Sequence, residues 1–322
     1  MSNILYGDQI YNEEFKNEFM SQYGKGTQKT LGRIFKISFN KESDLGKDLY
    51  DFNIEQIRQL LYLFRPTTEY SSKQNISWIS KYISFALDSG AKKGLNPLDF
   101  TPNDWAIQFV NNQIKKYWTG EELDKIIDSC VNAQDGVVIS LLRNGVSGKE
   151  SSELLNLKAS DVDRDNETLT LTDDEGNRRT IKVSPQCIKL VVRASLELDY
   201  EKMNGEPNVN RKADIANLID TEFVIKTANT NTKSYSQSEK NIIHRRLTKI
   251  AADLQEPMFV PKHIAYSGML EMANSLLGSK DQLSSEDYSL IMKQFGIDGE
   301  QSMYRIKSEF LNVETIRNLY PR

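Results

Sequence analysis

One stretch of this chain has the alternating pattern of a β-hairpin, and most of the remaining sequence has the spacing of helices. Residues 168–184 read TLTLTDDEGNRRTIKVS, in which leucines alternate with threonines before a polar turn. Ile181 and Val183 continue the alternation after it, and Gly176 supplies a residue suited to positive φ in the turn. The sequence therefore predicts a mainly α-helical fold with a small β-hairpin or sheet in its C-terminal domain.

The first part of the chain has helical spacing throughout. Apolar residues recur at helical intervals in NEEFKNEFMSQY, in the stretch after GKG, in NIEQIRQLLYLF and in SSKQNISWISKYISFALDSG. Thr27 and Asn53 are placed to cap the second and third of these helices. In TPNDWAIQFVNNQI, Thr101 as cap and Pro102 at the first helical position predict a further helix. We therefore expect roughly five helices in this part of the chain.

A new domain is predicted to begin just after residue 115. Thr119 followed by Glu122 forms a capping box, which places a hinge at residues 113–119. The domains are then 1–115, an all-helical unit, and 116–322, a mixed unit that contains the hairpin. Further helices are predicted at 236–254, 262–277, 284–295 and 312–319.

The composition is ordinary for a soluble protein. Charged residues make up 27% and hydrophobic residues 39% of the chain. No apolar run approaches the length of a membrane span, and the N-terminus is too polar and acidic for a signal peptide. Cys130 and Cys187 are far apart, have no metal-ligand spacing and are expected to be packing residues. We expect a cytoplasmic protein with no membrane partner, no metal and no cofactor.

Positive charge is concentrated in two stretches although the formal net charge is −4. Residues 23–41 contain five basic side chains and no acidic one. Residues 226–249 contain six basic side chains against Glu239 alone. Either stretch by itself could be a solvated helix face. Two such stretches, one in each predicted domain, favour a nucleic-acid clamp.

The order of the elements and several sequence boxes resemble the tyrosine recombinases, or phage integrases. SGKESSELLNLKASDVD is similar to that family's T-G-L-R-x-x-E-L-L-x-L-x-x-x-D-[IV]-D box, and a hairpin follows it, as in that family. FVPKHIAYSGMLEMANSLLG lies where the family has P-H-x-L-R-H-x-x-A, and IMKQFGIDGEQSMYR where it has L-G-H and then the nucleophilic tyrosine. The resemblance covers most of the chain. It implies a two-domain clamp on DNA, with a core-binding domain before a recombinase catalytic-like domain.

The resemblance also implies active-site positions, most of which hold unsuitable residues here. The family places two arginines on the phosphate oxygens at the cleaved bond, while a lysine and histidines handle protons. Glu150 falls on the first arginine position, where a carboxylate would repel the phosphate. Tyr304 remains as a candidate nucleophile, but a lone tyrosine without those cations should not cleave DNA at a useful rate. The other replacements are Glu175 for the lysine, Lys262 for a histidine, Ala265 for the second arginine, Tyr266 for the next histidine and Ile297 for the histidine of L-G-H.

A DNA-contacting surface can survive this loss of catalysis, because phosphate contacts need only scattered basic and polar side chains. Ser236 is placed to cap a helix whose positive end would hold phosphate, and Asn and Arg side chains there could read base edges. His244 and His263 could equally be ordinary surface histidines. In the first domain, the predicted contacts are Lys25, Thr27, Lys29, Arg33, Lys73, Asn75 and Lys81. In the second domain, they are Lys149, Arg178, Arg179, Lys233, Tyr235, Lys240, Asn241, His244, Arg245, Arg246, Lys262 and His263.

A sequence-specific DNA-binding protein that cannot recombine is most simply a transcriptional regulator. The whole chain is similar to the recombinase-like lysogeny repressors of SPβ-type Bacillus phages. This resemblance implies a repressor that binds double-stranded operator DNA in the bacterial cytoplasm and keeps prophage genes silent. We expect a monomer or weak oligomer, because the C-terminal helix could dock in cis or in trans. A peptide or protein anti-repressor would be a further partner.

Two other functions stay open. One is an active site-specific recombinase with displaced catalytic residues and Tyr304 as the nucleophile. The other is an interaction module whose clamp binds another protein, which the overall acidic charge would suit. Cleavage of DNA would distinguish the first, and weak, salt-insensitive binding to DNA would distinguish the second.

Overall fold

The chain forms two compact units, Met1–Ile114 and Lys115–Arg322. Three of the predicted DNA contacts and one predicted helix cap lie outside the described residues, namely Lys233, Tyr235, Lys240 and the cap Ser236. No helix in the described part of the chain is long and apolar enough to cross a membrane. The computed structural model describes residues 7–102, 104–111, 114–207, 213–229, 238 and 241–321.

Helices packed around an aromatic core make up the first unit. Phe19 and Phe35 lie edge-on to the ring of Tyr82, with centroids 5.3 and 4.9 Å away. Asn53 caps the third helix, as predicted. The fourth helix is capped by Thr68, which was not predicted. The α-helices of this unit are α1 (Glu13–Ser21), α2 (Lys25–Leu45), α3 (Ile54–Leu63) and α4 (Glu69–Asp88).

The predicted cap of α2 is wrong. This helix begins at Lys25, after Gly24 in extended conformation, so Thr27 lies inside its first turn. A glycine is acceptable at the N-cap position, and the helix gains three residues by starting there. Thr27 is half-buried and remains on the surface of the helix.

The helix predicted from Thr101 does not form. One short 3-10 turn, Pro97–Phe100, comes just before this segment, and another, Ile107–Phe109, lies within it. Thr101 ends the first turn, since its Oγ1 donates to the carbonyl oxygen of Leu98 at 2.8 Å. Trp105 and Phe109 then pack edge to face with centroids 4.8 Å apart. Tertiary contacts of this kind override a local helical preference.

The second unit begins with a helix that is capped as predicted. Thr119 and Glu122 form the complete capping box, and the helix-rich segment after it is α5 (Gly120–Asp128), α6 (Ala133–Arg143) and α7 (Ser152–Asn156). The predicted hairpin is also confirmed, with Leu169 opposite Ile181 and Gly176 at φ 87°. The next elements are β1 (Val162–Asp163), β2 (Thr168–Thr172), β3 (Arg178–Lys182), α8 (Pro185–Leu196), β4 (Asp199–Glu201) and β5 (Ile215–Asn217). The strands β1, β2 and β3 form one antiparallel sheet, and β4 pairs antiparallel with β5.

The C-terminal part of the second unit is helical and packs on its own chain. One helix was not predicted, α12, because it buries only Ile306 and has no apolar stripe. The last helix packs through Ile316 and Leu319 against the core of its own unit. The helices are α9 (Asn241–Asp253), α10 (Pro261–Leu277), α11 (Ser285–Gln294), α12 (Glu300–Glu309) and α13 (Val313–Leu319).

The helix α6 is buried on every side and forms the centre of the second unit. Val137, Val138 and Ile139 point in different directions, yet each is fully buried. The helix α10 approaches so closely that a Cβ atom on Gly268 would lie 1.9 Å from the carbonyl oxygen of Arg143. Glycine is therefore required where these two helices cross.

Candidate nucleic-acid interface

The exposed face of α9 is polar, and its first two turns carry no acidic side chain. Asn241, His244, Arg245 and Thr248 recur on this face at intervals of three and four residues, and all are exposed. Arg245 forms no ion pair with any described residue, whereas the half-buried Lys249 pairs with Glu206 at 3.4 Å and with Asp253. Asparagine and arginine on such a face have the hydrogen-bonding groups that read adenine and guanine edges in a major groove.

The other face of α9 is anchored in the second unit. Ile243 and Leu247 are buried there, and so is Arg246. The Arg246 guanidinium donates to the carbonyl oxygens of Gln134 at 3.0 Å and Lys226 at 2.7 Å. The predicted DNA contact at Arg246 is therefore wrong, because this side chain points into the protein.

A row of basic side chains runs along α2. Lys25, Lys29, Arg33 and Lys36 are spaced by four, four and three residues, so they share one face of the helix. They line a groove of about 680 Å³ whose other wall is formed by neutral residues of α1, namely Asn17, Met20 and Ser21. Asp8 pairs with Lys36 at 2.7 Å. The other three cations of the row form no ion pair with a described residue, which suits them to phosphate oxygens.

The remaining first-unit predictions fall on α4 and differ in exposure. Lys81 is exposed, with its Nζ atom 4.4 Å from the centroid of the Trp78 ring. Lys73 is exposed and pairs with Glu69 at 2.6 Å. Asn75 is buried, so the predicted DNA contact there is wrong: its position on α4 faces the core.

The loop after α6 and the hairpin turn together form an acidic patch. Lys149 pairs with Asp174 at 3.2 Å, which joins the loop to the turn. Asp174 leads the partners that raise the pKa of Lys149, and the charges of Glu175 and Glu150 add to the effect. Glu150 has a positive φ of 53°. Three carboxylates around one ammonium leave this patch negative, which is the opposite of a phosphate-binding site.

The two neighbouring arginines of β3 differ in role. Arg178 is exposed and lies 3.5 Å from Asp161. Arg179 makes a two-pronged pair with the buried Glu153, at 2.6 and 2.7 Å. Arg179 also donates to the carbonyl oxygens of Gly145 at 2.7 Å and Gln294 at 2.9 Å. Arg179 thus holds the hairpin, the loop after α6 and the end of α11 together, and the predicted DNA contact there is wrong.

Three of the recombinase-like positions on α10 and after α11 pack against the core of the unit, and two are exposed. Tyr266 stacks on Phe310 with centroids 3.9 Å apart, and burial raises the pKa of Tyr266 to about 12. Ala265 and Ile297 pack against the same core. Lys262 is exposed, with its Nζ atom 5.0 Å from the centroid of the Tyr266 ring. Tyr304 is 76% exposed on α12.

The predicted DNA contact at His263 is wrong. This residue is buried at the start of α10, and its Nδ1 atom lies 3.0 Å from the carbonyl oxygen of Met258. Burial lowers the pKa of His263 to about 4. A neutral, enclosed imidazole cannot contact a phosphate.

The described residues contain no group of three or more His, Cys, Asp or Glu side chains that could hold a metal ion. The two cysteines are unpaired, Cys187 buried and Cys130 half-buried. Burial raises the pKa of Cys187 to about 11 and that of Cys130 to about 12, which makes both thiols unreactive at neutral pH.

Both units of the chain match protein families. Residues 117–321 match the family described as "MrpR, C-terminal catalytic domain", and residues 10–88 match "MrpR, N-terminal core-binding domain". A curated relative is the SPbeta prophage-derived uncharacterized protein YopR of Bacillus subtilis (strain 168). It is 28% identical over 316 residues, which is 97% of each chain.

Solved structures show that the fold is that of the tyrosine recombinases, as predicted. The Tn1549 transposon integrase in complex with circular intermediate DNA aligns with a TM-score of 0.51 at 11% identity, over 98% of this chain and 100% of that one. The same integrase with transposon right end DNA gives 0.50 at 13% identity, over 91% and 93% of the two chains. The mainly helical fold with small antiparallel sheets is therefore confirmed.

Proposed function

This chain belongs to the MrpR family, and we propose that it is a sequence-specific double-stranded DNA-binding protein that represses prophage genes without cutting DNA. The prophage origin of its relative supports the genetic setting. The integrase that shares its fold was solved on DNA, which supports the ligand. The repressor would act in the bacterial cytoplasm as a monomer or weak oligomer, and a peptide or protein anti-repressor would release it.

The exposed face of α9 is the observation that carries this proposal. Arg245 and Asn241 are exposed there beside His244, while the side chains behind them fix the helix in the second unit. Side chains that read bases must be both exposed and held in place. The basic row on α2 adds contacts that depend on phosphate charge and not on sequence.

The absence of cleavage is supported by charge at the recombinase-like positions. Phosphoryl transfer needs cations on the oxygens that gain negative charge, and each such donor is worth about 3 kcal/mol or more of the barrier. Glu150 and Glu175 bring negative charge instead. Ala265 and Ile297 are partly buried and pack against the apolar core. A carboxylate and an alkyl group cannot substitute for an arginine and a histidine.

An active recombinase is the second candidate, and the exposure of Tyr304 favours it. This hydroxyl is on the surface of α12, where a phosphate could reach it. Lys149, Arg178 or Arg179, and Lys262 would then have to serve as displaced cations. A covalent adduct with a nicked duplex, seen by denaturing electrophoresis and abolished by Tyr304→Phe, would establish this candidate in place of the repressor.

The proposal is tested by binding of the purified protein to duplexes selected from a random-sequence library. Affinity is measured by fluorescence anisotropy over a salt series, for a selected duplex and for its scrambled version. We expect tight, salt-dependent binding to the selected duplex, which Tyr304→Phe leaves unchanged. Arg245→Ala should lower the affinity for the selected duplex by about 1 to 3 kcal/mol.

Arg193→Ala is the matched control for Arg245→Ala. Arg193 is an exposed arginine on α8 of the same unit, and it forms no ion pair with a described residue. Its removal should leave the affinity unchanged. Equal losses for the two variants, or weak binding that is insensitive to salt, would contradict the proposal and point to a protein partner.

A further inference from the structure

The side of α9 that faces the protein carries a buried arginine. Arg246 is 6% exposed and donates to the carbonyl oxygens of Gln134 and Lys226 at 3.0 and 2.7 Å. Its Nε atom lies 3.5 Å from Oδ1 of Asp135. One side chain therefore ties α9 both to α6 and to the segment around Lys226.

The partner carboxylate of Arg246 is itself held by other polar groups. Tyr200 donates its hydroxyl to Asp135, with both carboxylate oxygens at 3.1 Å, and Asn132 donates its amide at 3.1 Å. The Arg246 guanidinium lies 5.6 Å from the centroid of the Tyr200 ring. A network in which each group has a fixed partner allows few alternative positions for the guanidinium.

A second anchor lies just before α9 in the chain. Ser238 is buried, and its hydroxyl donates to the carbonyl oxygen of Ile225 at 3.0 Å. Ser238 and Arg246 are thus both fixed to the backbone of residues 225–226. The exposed residues Asn241 and Arg245 lie between these two anchors in the sequence.

We propose that Arg246 is the positioning residue of α9 and sets the rotation of this helix about its axis, and with it the bases that Asn241 and Arg245 meet. This inference rests on the proposed function, because it assumes that α9 reads DNA. Successive residues of a helix are about 100° apart, so a small rotation of α9 moves Arg245 sideways along a groove. Arg246 acts through this geometry and does not itself contact DNA.

Lysine cannot replace arginine in this position. The planar guanidinium donates in several fixed directions at once, whereas an ammonium is a point charge on a flexible stem. Arg246→Lys keeps the charge beside Asp135, but its single nitrogen cannot reproduce the separate contacts that Nη1 makes with Gln134 and Nη2 makes with Lys226. We expect a folded protein whose α9 is less well fixed.

The test compares the wild-type chain with Arg246→Lys and with the double variant Arg246→Met, Asp135→Asn. The double variant removes both charges, so that no unpaired carboxylate remains buried. Circular dichroism identifies a temperature at which each variant is folded. At that temperature, anisotropy gives the affinity of each variant for the selected duplex and for its scrambled version. A salt series gives the slope of log K against log salt for both duplexes.

We expect the ratio of selected to scrambled affinity to fall by about tenfold or more in both variants. The affinity for the scrambled duplex and its salt slope should not change, because α2 and the exposed cations are intact. A new selection with Arg246→Lys should give a more degenerate consensus than the wild-type protein. A residue with a purely structural role would lower the melting temperature without changing this ratio.

A folded variant that keeps the wild-type ratio and consensus would overturn the inference. If only one variant folds, its ratio and consensus decide the question. If neither folds, Ser238→Ala tests the other anchor, and an unchanged ratio there would overturn it as well. A wild-type protein that binds selected and scrambled duplexes equally would instead refute the proposed function, so the two failures are distinguishable.

Discussion

His263 is buried at the start of α10, beside the aromatic rings of Tyr117 and Tyr266. Burial opposes its protonation and lowers its pKa to about 4, while the unfolded chain has a histidine pKa of about 6.5. Between these values the unfolded state binds the proton and the folded state does not. The stabilising contribution is therefore complete above pH 6.5 and is lost as the pH falls toward 4.

This difference predicts the pH dependence of stability. Between pH 7 and pH 5 the wild-type chain should lose about 2 kcal/mol of unfolding free energy through His263. His263→Phe keeps a ring of similar size and cannot be protonated, so it should lose less over the same interval. Urea denaturation of both proteins at the two pH values measures the difference. Equal losses of unfolding free energy in the two proteins would show that folding does not lower the pKa of His263.

The neighbours Arg178 and Arg179 give a second test at the scale of single residues. Arg179→Ala leaves the buried Glu153 without its ion-pair partner and frees two carbonyl oxygens, so it should cost about 3 to 5 kcal/mol of stability. Arg178→Ala removes only an exposed pair with Asp161 and should cost less than about 1 kcal/mol. Denaturant unfolding measures both, and similar costs would contradict the structural role of Arg179.

Part of the information that distinguishes the buried from the exposed arginine, in the pairs Arg178–Arg179 and Arg245–Arg246, is present in the sequence. Arg179 is two residues from the buried Ile181, which puts both on one face of β3. Arg246 is three residues from Ile243, and so belongs to the apolar face of α9. Their partners could not be predicted, because Glu153 and Asp135 are distant in the sequence and meet them only through the tertiary fold.

At the scale of elements, α2 offers a test of phosphate contacts. Lys29 lies in the middle of the basic row, is exposed and forms no ion pair with a described residue. Lys29→Gln should weaken binding to selected and scrambled duplexes alike and lower the slope of log K against log salt by about 0.9. The same anisotropy series measures this slope.

Lys93→Gln is the matched control for α2. Lys93 is an exposed lysine of the same unit that lies outside the groove, so its removal should leave the slope unchanged. A Lys29→Gln variant with an unchanged slope would exclude the groove from the DNA contact. A loss confined to the selected duplex would mean that Lys29 reads sequence and does not simply bind phosphate.

Elements were predictable from the sequence where local signals and tertiary packing agree. The hairpin, the helix cap Asn53 and the capping box at Thr119 had clear local signals, and all three are found. The helix expected after Thr101 had a cap and a proline but lost to packing between Trp105 and Phe109. The helix α12 has almost no apolar face, so no periodicity could indicate it.

At the scale of the whole molecule, the charge distribution makes the acidic net charge compatible with the proposed binding of DNA. The net charge is −4, but the basic row on α2 and the exposed face of α9 are locally positive. The acidic patch of Glu150, Asp174 and Glu175 accounts for part of the opposite charge. Local potential at the contact surface, and not the net charge, decides affinity for phosphate.

The last prediction concerns how the two units share the binding of one duplex. Lys29 and Arg245 belong to different compact units. Losses of binding free energy at independent sites add to within about 0.5 kcal/mol. The double variant Lys29→Gln, Arg245→Ala should therefore lose the sum of the two single losses on the selected duplex, measured by anisotropy at one salt concentration.

Lys93→Gln, Arg193→Ala is the control. If Lys29→Gln had no effect once Arg245 is replaced, α2 would contact DNA only when α9 is bound, and the two units would bind cooperatively rather than independently.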